Sequence, residues 1–400
     1  MSTEIQAQAL LIMERIYLDI HLASLETQKA SADHESKSLS TFLSGVAVKA
    51  ILLSASAAMQ PKETDRCSVQ LHRLISLGQS LGWMLLSICS HSNNFLNAAA
   101  SNNGNQLWRA LYSLIRSNAI SIELFAKSRQ LNWHAALPPG LGSTYGGQLK
   151  VEQQDAYPYV ISANTKAVYN PEYKTQKQRN IPSSFFSPSN FTPPPDLHRH
   201  PGDGDCAQCG NPEMCECLLR LTDEQHPLLE LREYPRRGIG VRSLRSIKTG
   251  TFIGQYVGEI RKPPVPDSTY ALNHRLRNRS IGIIDAAIFG NWTRYMNHSC
   301  RAGVTFVSAV VGQCAYVLVR AIRDIEMFEE ITVDYGDSYF QPRDRVCRCG
   351  EEACRFKEGG SDMRDWRREK GMEDRDDLSG EEGPGLLLMY QSLSVMQRFL

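Results

Sequence analysis

The chain has 400 residues, 42% of them apolar, with 44 Lys and Arg against 43 Asp and Glu and a formal charge of +1. This length and apolar share support two or three packed domains, and the charge balance excludes a global field that would recruit nucleic acid. The longest apolar-leaning stretch, 41–59, holds Lys49 and several serines and is too polar for a membrane span, and the N-terminus lacks the basic start and apolar run of a secretory leader, so the chain reads as soluble and intracellular.

Residues 1–135 read as an all-α domain. Leu10, Leu11, Ile16, Ile20 and Leu25 recur at roughly helical spacing, as do Leu71, Leu74, Leu77, Leu81 and Leu85. A further run at Leu107, Leu111, Leu114 and Ile115 continues into Ile120, Ile122 and Leu124. Four or five packed helices are expected, with no constellation that suggests chemistry. The domain is either a bundle of unknown role or a platform for an unknown protein. From 136 to 205 the composition turns to Pro, Ser, Asn, Gly and Tyr, which predicts a linker that buries little apolar surface. Within it, KTQKQR at 174–179 reads as a solvated charged run or a nuclear import patch.

Eleven cysteines in an intracellular chain point to metal rather than disulfides. In the segment 206–227, Cys206, Cys209, Cys215 and Cys217 have C-x2-C-x5-C-x-C spacing, read as one four-cysteine zinc site. The cluster lacks surrounding basic and aromatic residues, so no sequence-specific nucleic-acid binding is expected of it. Residues 228–341 alternate short runs rich in Val, Ile, Phe and Tyr with Gly and charged punctuation, the pattern of many short strands. In 342–358, Cys347, Cys349 and Cys354 supply three thiolates where a closed zinc site wants four, and Cys300 is the fourth candidate. A charged tail, 359–400, ends in LLLMYQSLSVMQRFL, a plausible terminal helix.

Three stretches carry the chemistry. In RRGIGVRSL, Gly238 and Gly240 flank Ile239 and let backbone approach a ligand closely, but the three-glycine dinucleotide fingerprint is absent. Tyr295 stands just before Asn297, His298, Ser299 and Cys300, and Tyr335 follows an apolar strand and precedes Gly336. Taken in order with Tyr256–Glu259, with Arg294–Cys300, with Glu330–Gly336, and with Ile284, Asp285, Ala286, Gly290 and Asn291, these stretches resemble the SET domain of protein-lysine methyltransferases. The C-x-C-x4-C of Cys347, Cys349 and Cys354 resembles the post-SET segment that shares a zinc with the cysteine of N-H-S-C.

That resemblance implies an α+β multidomain chain. A helical N-terminal domain would precede a β-rich SET domain whose N-H-S-C stretch threads a pseudoknot, with a post-SET zinc site after it. It implies methyl transfer from S-adenosylmethionine to a lysine, with Tyr335 catalytic and Tyr256, Tyr295 and Tyr335 lining the lysine channel. The cofactor would be held by Arg237, Gly238, Ile239, Gly240, Tyr270, Arg294, Asn297 and His298, with Phe356 against its adenine. A histone tail is the expected substrate, which places the protein on chromatin in the nucleus. A non-histone protein and a catalytically silent scaffold are the alternatives. Two departures stand out. Arg301, Ala302 and Gly303 follow N-H-S-C where the family has x-Pro-Asn, and Val333 lies where it often has Phe or Tyr, which predicts room for more than one methyl group.

Overall fold

The computed structural model describes residues 3–32, 83–89, 91–100, 104–129, 160–162, 168–169, 172–173, 176–189, 191–219, 228–264, 269–277, 279–340 and 345–356. The expectations for Leu71–Leu81 and for the tail 359–400 lie outside these residues.

The described part of the N-terminal region is helical: α1 (Thr3–Ala32), α2 (Trp83–Cys89), α3 (Asn93–Ala100), α4 (Gly104–Ser117) and α5 (Ala119–Ser128). The stripe that buries α1 is Ala9, Met13, Ile16, Tyr17 and Ile20, at the spacing of one helical face. Leu11, read from the sequence as part of that stripe, is 61% exposed, because it lies off this face. Trp108, Leu111 and Ile115 of α4 and Ile122 and Phe125 of α5 complete the bundle. The same core contains Leu228, Leu244 and Met327 from beyond residue 227, so the helices and the β-rich region share one apolar interior. No described helix is long and apolar enough to cross a membrane.

Short strands follow: β1 (Val160–Ile161), β2 (Val168–Tyr169), β3 (Glu172–Tyr173), β4 (Gln176–Lys177), β5 (Arg179–Asn180) and β6 (Phe185–Phe186). The β-rich region holds β7 (Leu229–Tyr234), β8 (Gly238–Ser243), β9 (Phe252–Gln255), β10 (Glu259–Arg261), β11 (Ala271–Leu276), β12 (Arg279–Asp285), β13 (Phe289–Gly290), β14 (Val304–Val311), β15 (Cys314–Ala321) and β16 (Glu330–Ile331). Three sheets matter for the site, with strand orders β16-β8-β7-β1-β2, β11-β12-β10-β6 and β14-β15-β9. The β14–β15 hairpin pairs Val311 with Cys314 across a two-residue turn. Gly312 sits in that turn at φ +60, which hairpin turns of this length require.

Among the described residues, 160–205 is not the loose linker that the composition of 136–205 predicts. From Val160 on, its described pieces add strands to the edges of the β-rich region. β1 runs parallel to β7, β5 parallel to β13, and β6 parallel to β10 through Glu259↔Phe185 and Ile260↔Phe186. Two-residue strands have no side-chain period to read, and their stabilisation comes from backbone hydrogen bonds that composition does not report.

Candidate active site

Residues far apart in sequence converge where 297–304 runs beside 332–333. The Val333 amide donates to the Asn297 carbonyl at 3.0 Å and the Ser299 amide to the Val333 carbonyl at 3.2 Å, while the Gly303 and Val304 amides share the Thr332 carbonyl at 3.0 Å. This lacing fixes Tyr335. Its amide donates to His298 Nδ1 at 3.2 Å, and its hydroxyl donates to the Met296 carbonyl at 2.8 Å. Burial of the hydroxyl, with Tyr339 and Tyr270 nearby, pushes its pKa far above the ordinary tyrosine range. Tyr335 therefore stays protonated at neutral pH, although the residue as a whole is 36% exposed.

The ring surroundings differ in part from the expected set. Tyr256 is buried and donates its hydroxyl to the Tyr270 carbonyl at 2.6 Å, and burial, followed by Tyr270 and Tyr335, raises its pKa. Tyr270 thus stands with Tyr256 and Tyr335. Tyr339 packs edge-on against Tyr335 with ring centroids 4.7 Å apart. Tyr295, expected in the same channel, instead sends its hydroxyl to Gln178 Oε1 at 2.5 Å. The Gln178 amide in turn donates to the Ala287 carbonyl at 3.0 Å, so part of the run read as a solvated patch is built into the domain.

On the other side of Asn297 lies Gly240. A Cβ placed on it would meet Glu330 Oε1 at 2.5 Å, Asn297 Nδ2 at 2.7 Å and Tyr234 Cδ2 at 2.8 Å, so only glycine fits there. Glu330 accepts from Asn297 Nδ2 at 2.8 Å and pairs with Arg237 at 2.6 Å. Gly238 adopts φ +76 with open space around it, and Ile239 is half-buried against the sheet core. The 238–240 backbone is consequently open at Gly238 and closed over by Glu330, Asn297 and Tyr234 at the buried Gly240. Arg294, expected at the cofactor, is buried and donates to the carbonyls of Ala286, Ile288 and Arg179 at 3.0, 3.3 and 3.2 Å. Its guanidinium ties β5 to the loop before β13.

Cys300, Cys347, Cys349 and Cys354 bring their Sγ atoms within 4.8 Å of one another, and so do Cys206, Cys209, Cys215 and Cys217. All eight are free thiols. Sulfur separations of 3.9 Å for Cys300–Cys347, 3.8 Å for Cys300–Cys354 and 3.6 Å for Cys209–Cys215 are informative. Tetrahedral zinc, with Zn–S of about 2.3 Å, spaces its sulfurs by about 3.8 Å. The donor sets therefore fit zinc. Amides of Arg355, Glu351 and Gly312 point at Cys300, Cys349 and Cys206 at 3.4, 3.5 and 3.4 Å, and at Cys349 and Cys206 burial is outweighed by such backbone donors, which lower the thiol pKa. Beyond Cys354, Phe356 is buried and stacks on Phe340 at 4.3 Å, with the His298 ring at 6.0 Å.

Sequence reasoning missed three contributors, and it placed Glu330 in a motif without giving it a role at the site. Gln178 is a polar residue whose partner lies 117 positions away. Tyr339 lies in the turn after Tyr335. Arg199 is buried and its guanidinium reaches the carbonyls of Gly204, Asn211, Pro212 and Glu213, which knits the cysteine loop. Only Tyr339 carried a local signal, an aromatic directly after the motif.

Residues 238–336 match the SET domain family. An H3 lysine-36 specific histone-lysine N-methyltransferase of Debaryomyces hansenii is 28% identical over 41% of this chain and 25% of its own length. Histone-lysine N-methyltransferase NSD3 of Mus musculus is 32% identical over 36% of this chain and 11% of its own. Histone-lysine N-methyltransferase EHMT1 of Homo sapiens is 31% identical over 32% of this chain and 11% of its own. The likeness thus spans a quarter or less of these relatives' length. Among solved structures, the methyltransferase domain of human histone-lysine N-methyltransferase SETMAR aligns at a TM-score of 0.34 and 18% identity, covering 49% of this chain and 92% of that one.

Proposed function

Because residues 238–336 match the SET domain family, we propose that the chain is an S-adenosylmethionine-dependent protein-lysine N-methyltransferase that modifies a histone on chromatin in the nucleus. The observation that carries the reading is the Tyr335 hydroxyl, held by Met296 directly beside Asn297 and His298. The relatives named as histone-lysine N-methyltransferases support the substrate class.

S-adenosylmethionine supplies an electrophilic methyl group. The open backbone at Gly238, with Asn297 and Arg237 fixed by Glu330, fits such a ligand. The chain's own task is to present a neutral amine. A free lysine is neutral in about one part per thousand near pH 7.4, a cost of about 4 kcal/mol. Tyr256, Tyr270, Tyr335 and Tyr339 surround the position with rings, and the Tyr256 and Tyr335 hydroxyls are already engaged, a poor solvent for an ammonium. Because the Tyr335 proton is committed to Met296, the hydroxyl oxygen is left as an acceptor. It would accept an amine N–H and so turn the nitrogen lone pair toward the methyl group.

The two cysteine groups would each hold one zinc, and the one at Cys300, Cys347, Cys349 and Cys354 would fix Phe356 against Phe340 at the edge of the site. Calorimetric titration with S-adenosylhomocysteine, followed by labelled methyl transfer to core histones and to a non-histone protein extract, tests the reading. Binding with label on a histone supports it. Binding with label only on other proteins moves the substrate, and no binding overturns it.

A further inference from the structure

The helical bundle is joined to the cofactor side of the domain by a buried polar chain. From α1, the Tyr17 hydroxyl lies 2.7 Å from Ser121 Oγ on α5. Ser121 Oγ donates to Glu230 on β7, and the other Glu230 oxygen pairs with Arg242 Nε on β8 at 2.6 Å. Asn118, at the α4–α5 junction, accepts from Arg242 at 3.0 Å while its own amide is anchored on the Leu114 carbonyl at 2.9 Å. Glu230, Arg242, Ser121 and Asn118 are all buried, so water does not stand in for a lost partner.

This chain continues to the candidate cofactor site. Arg242 is in register with Glu230 on one side and with Glu330 on the other, so the three side chains share one face of the β7-β8-β16 sheet. Gly240, two residues before Arg242, lies on the same face, which is why Glu330 and Asn297 close over it. Tyr234 on this face is raised in pKa by its burial and then by Glu330, with Arg242, Glu230 and Arg232 also acting on it, which places the whole set within electrostatic reach. The bundle thus holds one end of β8, and the other end carries Gly238 and Gly240.

We infer that Ser121 and Asn118 of the helical bundle are positioning residues for the cofactor site, acting through Glu230, Arg242 and β8. The inference deepens the proposed methyl-transfer reading and rests on it. Under it, the helical region is a fixed part of the cofactor-binding unit. Neither residue touches the ligand. Their loss lets β8 and the Glu330 carboxylate shift, which detunes the Asn297 amide and the 238–240 backbone.

The test uses the full chain and four variants, with three readouts: melting temperature, Kd for S-adenosylhomocysteine, and the KM and kcat of methyl transfer. Ser121→Ala is expected to raise both Kd and the KM for S-adenosylmethionine about ten-fold, equivalent to about 1.4 kcal/mol, with kcat within about two-fold. Ser121→Thr keeps the hydroxyl and restores wild-type KM. Phe95→Leu, in the bundle core, lowers the melting temperature comparably and leaves KM unchanged. Asn118→Ala removes one acceptor from Arg242 and is read in the same way if Ser121→Ala does not fold. Equal loss of stability in Ser121→Ala and Phe95→Leu with Kd unchanged in both overturns the inference. Failure of the wild type to bind S-adenosylhomocysteine overturns the methyltransferase reading, and the inference with it.

Discussion

Gly240→Ala probes the candidate cofactor end of β8 with a single methyl group. The added Cβ would lie 2.5 Å from Glu330 Oε1, 2.7 Å from Asn297 Nδ2 and 2.8 Å from Tyr234 Cδ2, each closer than real Cβ contacts come. None of these atoms is the loose end of a flexible chain. Glu330 is pinned by Asn297 at 2.8 Å and Arg237 at 2.6 Å, and Tyr234 is packed on the same sheet face. Relief requires moving the carboxylate, which breaks at least one charge-assisted hydrogen bond at about 1.5–3 kcal/mol. Overpacking alone costs about 1–3 kcal/mol. Because the Asn297 amide moves with the carboxylate, most of this cost falls on ligand affinity, about ten- to a hundred-fold in Kd. Calorimetry with S-adenosylhomocysteine and a thermal melt on the same samples read the two parts. An alanine variant with wild-type Kd would refute the argument that the packing of Glu330 and Asn297 over Gly240 shapes the cofactor site.

Tyr295→Phe removes the bond to Gln178, so stability falls by about 1 kcal/mol while methyl-transfer kcat stays within about two-fold, measured by melt and by steady-state kinetics. A large fall in kcat would return Tyr295 to the channel. His274 is 2% exposed with neither ring nitrogen hydrogen-bonded, and burial, then Arg279, lowers its pKa to about 4. The unfolded chain binds this proton from about pH 6.5 downward, so its contribution is intact above that pH and is lost between about 6.5 and 4, up to about 3 kcal/mol. His274→Phe should flatten that acid limb in denaturant melts taken across the range. Removing metal with a strong chelator should release about two zinc ions per chain by elemental analysis and expose Phe356 and Phe340 to solvent quenching. Arg199→Ala strips four carbonyls of their donor and should lower the zinc content by one equivalent while leaving S-adenosylhomocysteine binding intact.

Much of the site was legible because it is written in local motifs. Asn297–Cys300 and Glu330–Gly336 each keep their residues adjacent, and the cysteine spacings state their own chemistry. What escaped has no local pattern. Gln178 reaches Tyr295 across 117 positions, from a stretch whose two-residue strands leave no periodicity. The direction of the Tyr295 hydroxyl is set by that partner, so the motif alone could not give it. The bundle's attachment was hidden for a related reason. Glu230 and Arg242 read as polar positions of short strands, and only the fold places Ser121 and Asn118 over them. Leu11 shows the limit of counting apolar residues, since Tyr17 with its satisfied hydroxyl takes the buried place on α1.

The most direct test of the central claim is labelled methyl transfer from S-adenosylmethionine to core histones by the wild type and by Tyr335→Phe at equal fold stability. The phenylalanine ring keeps the contact with Tyr339 but has no oxygen to accept an amine N–H. The account predicts histone label with the wild type, a fall of at least about a hundred-fold in kcat for the variant, and little change in Kd for S-adenosylhomocysteine. Equal label from both proteins would contradict it.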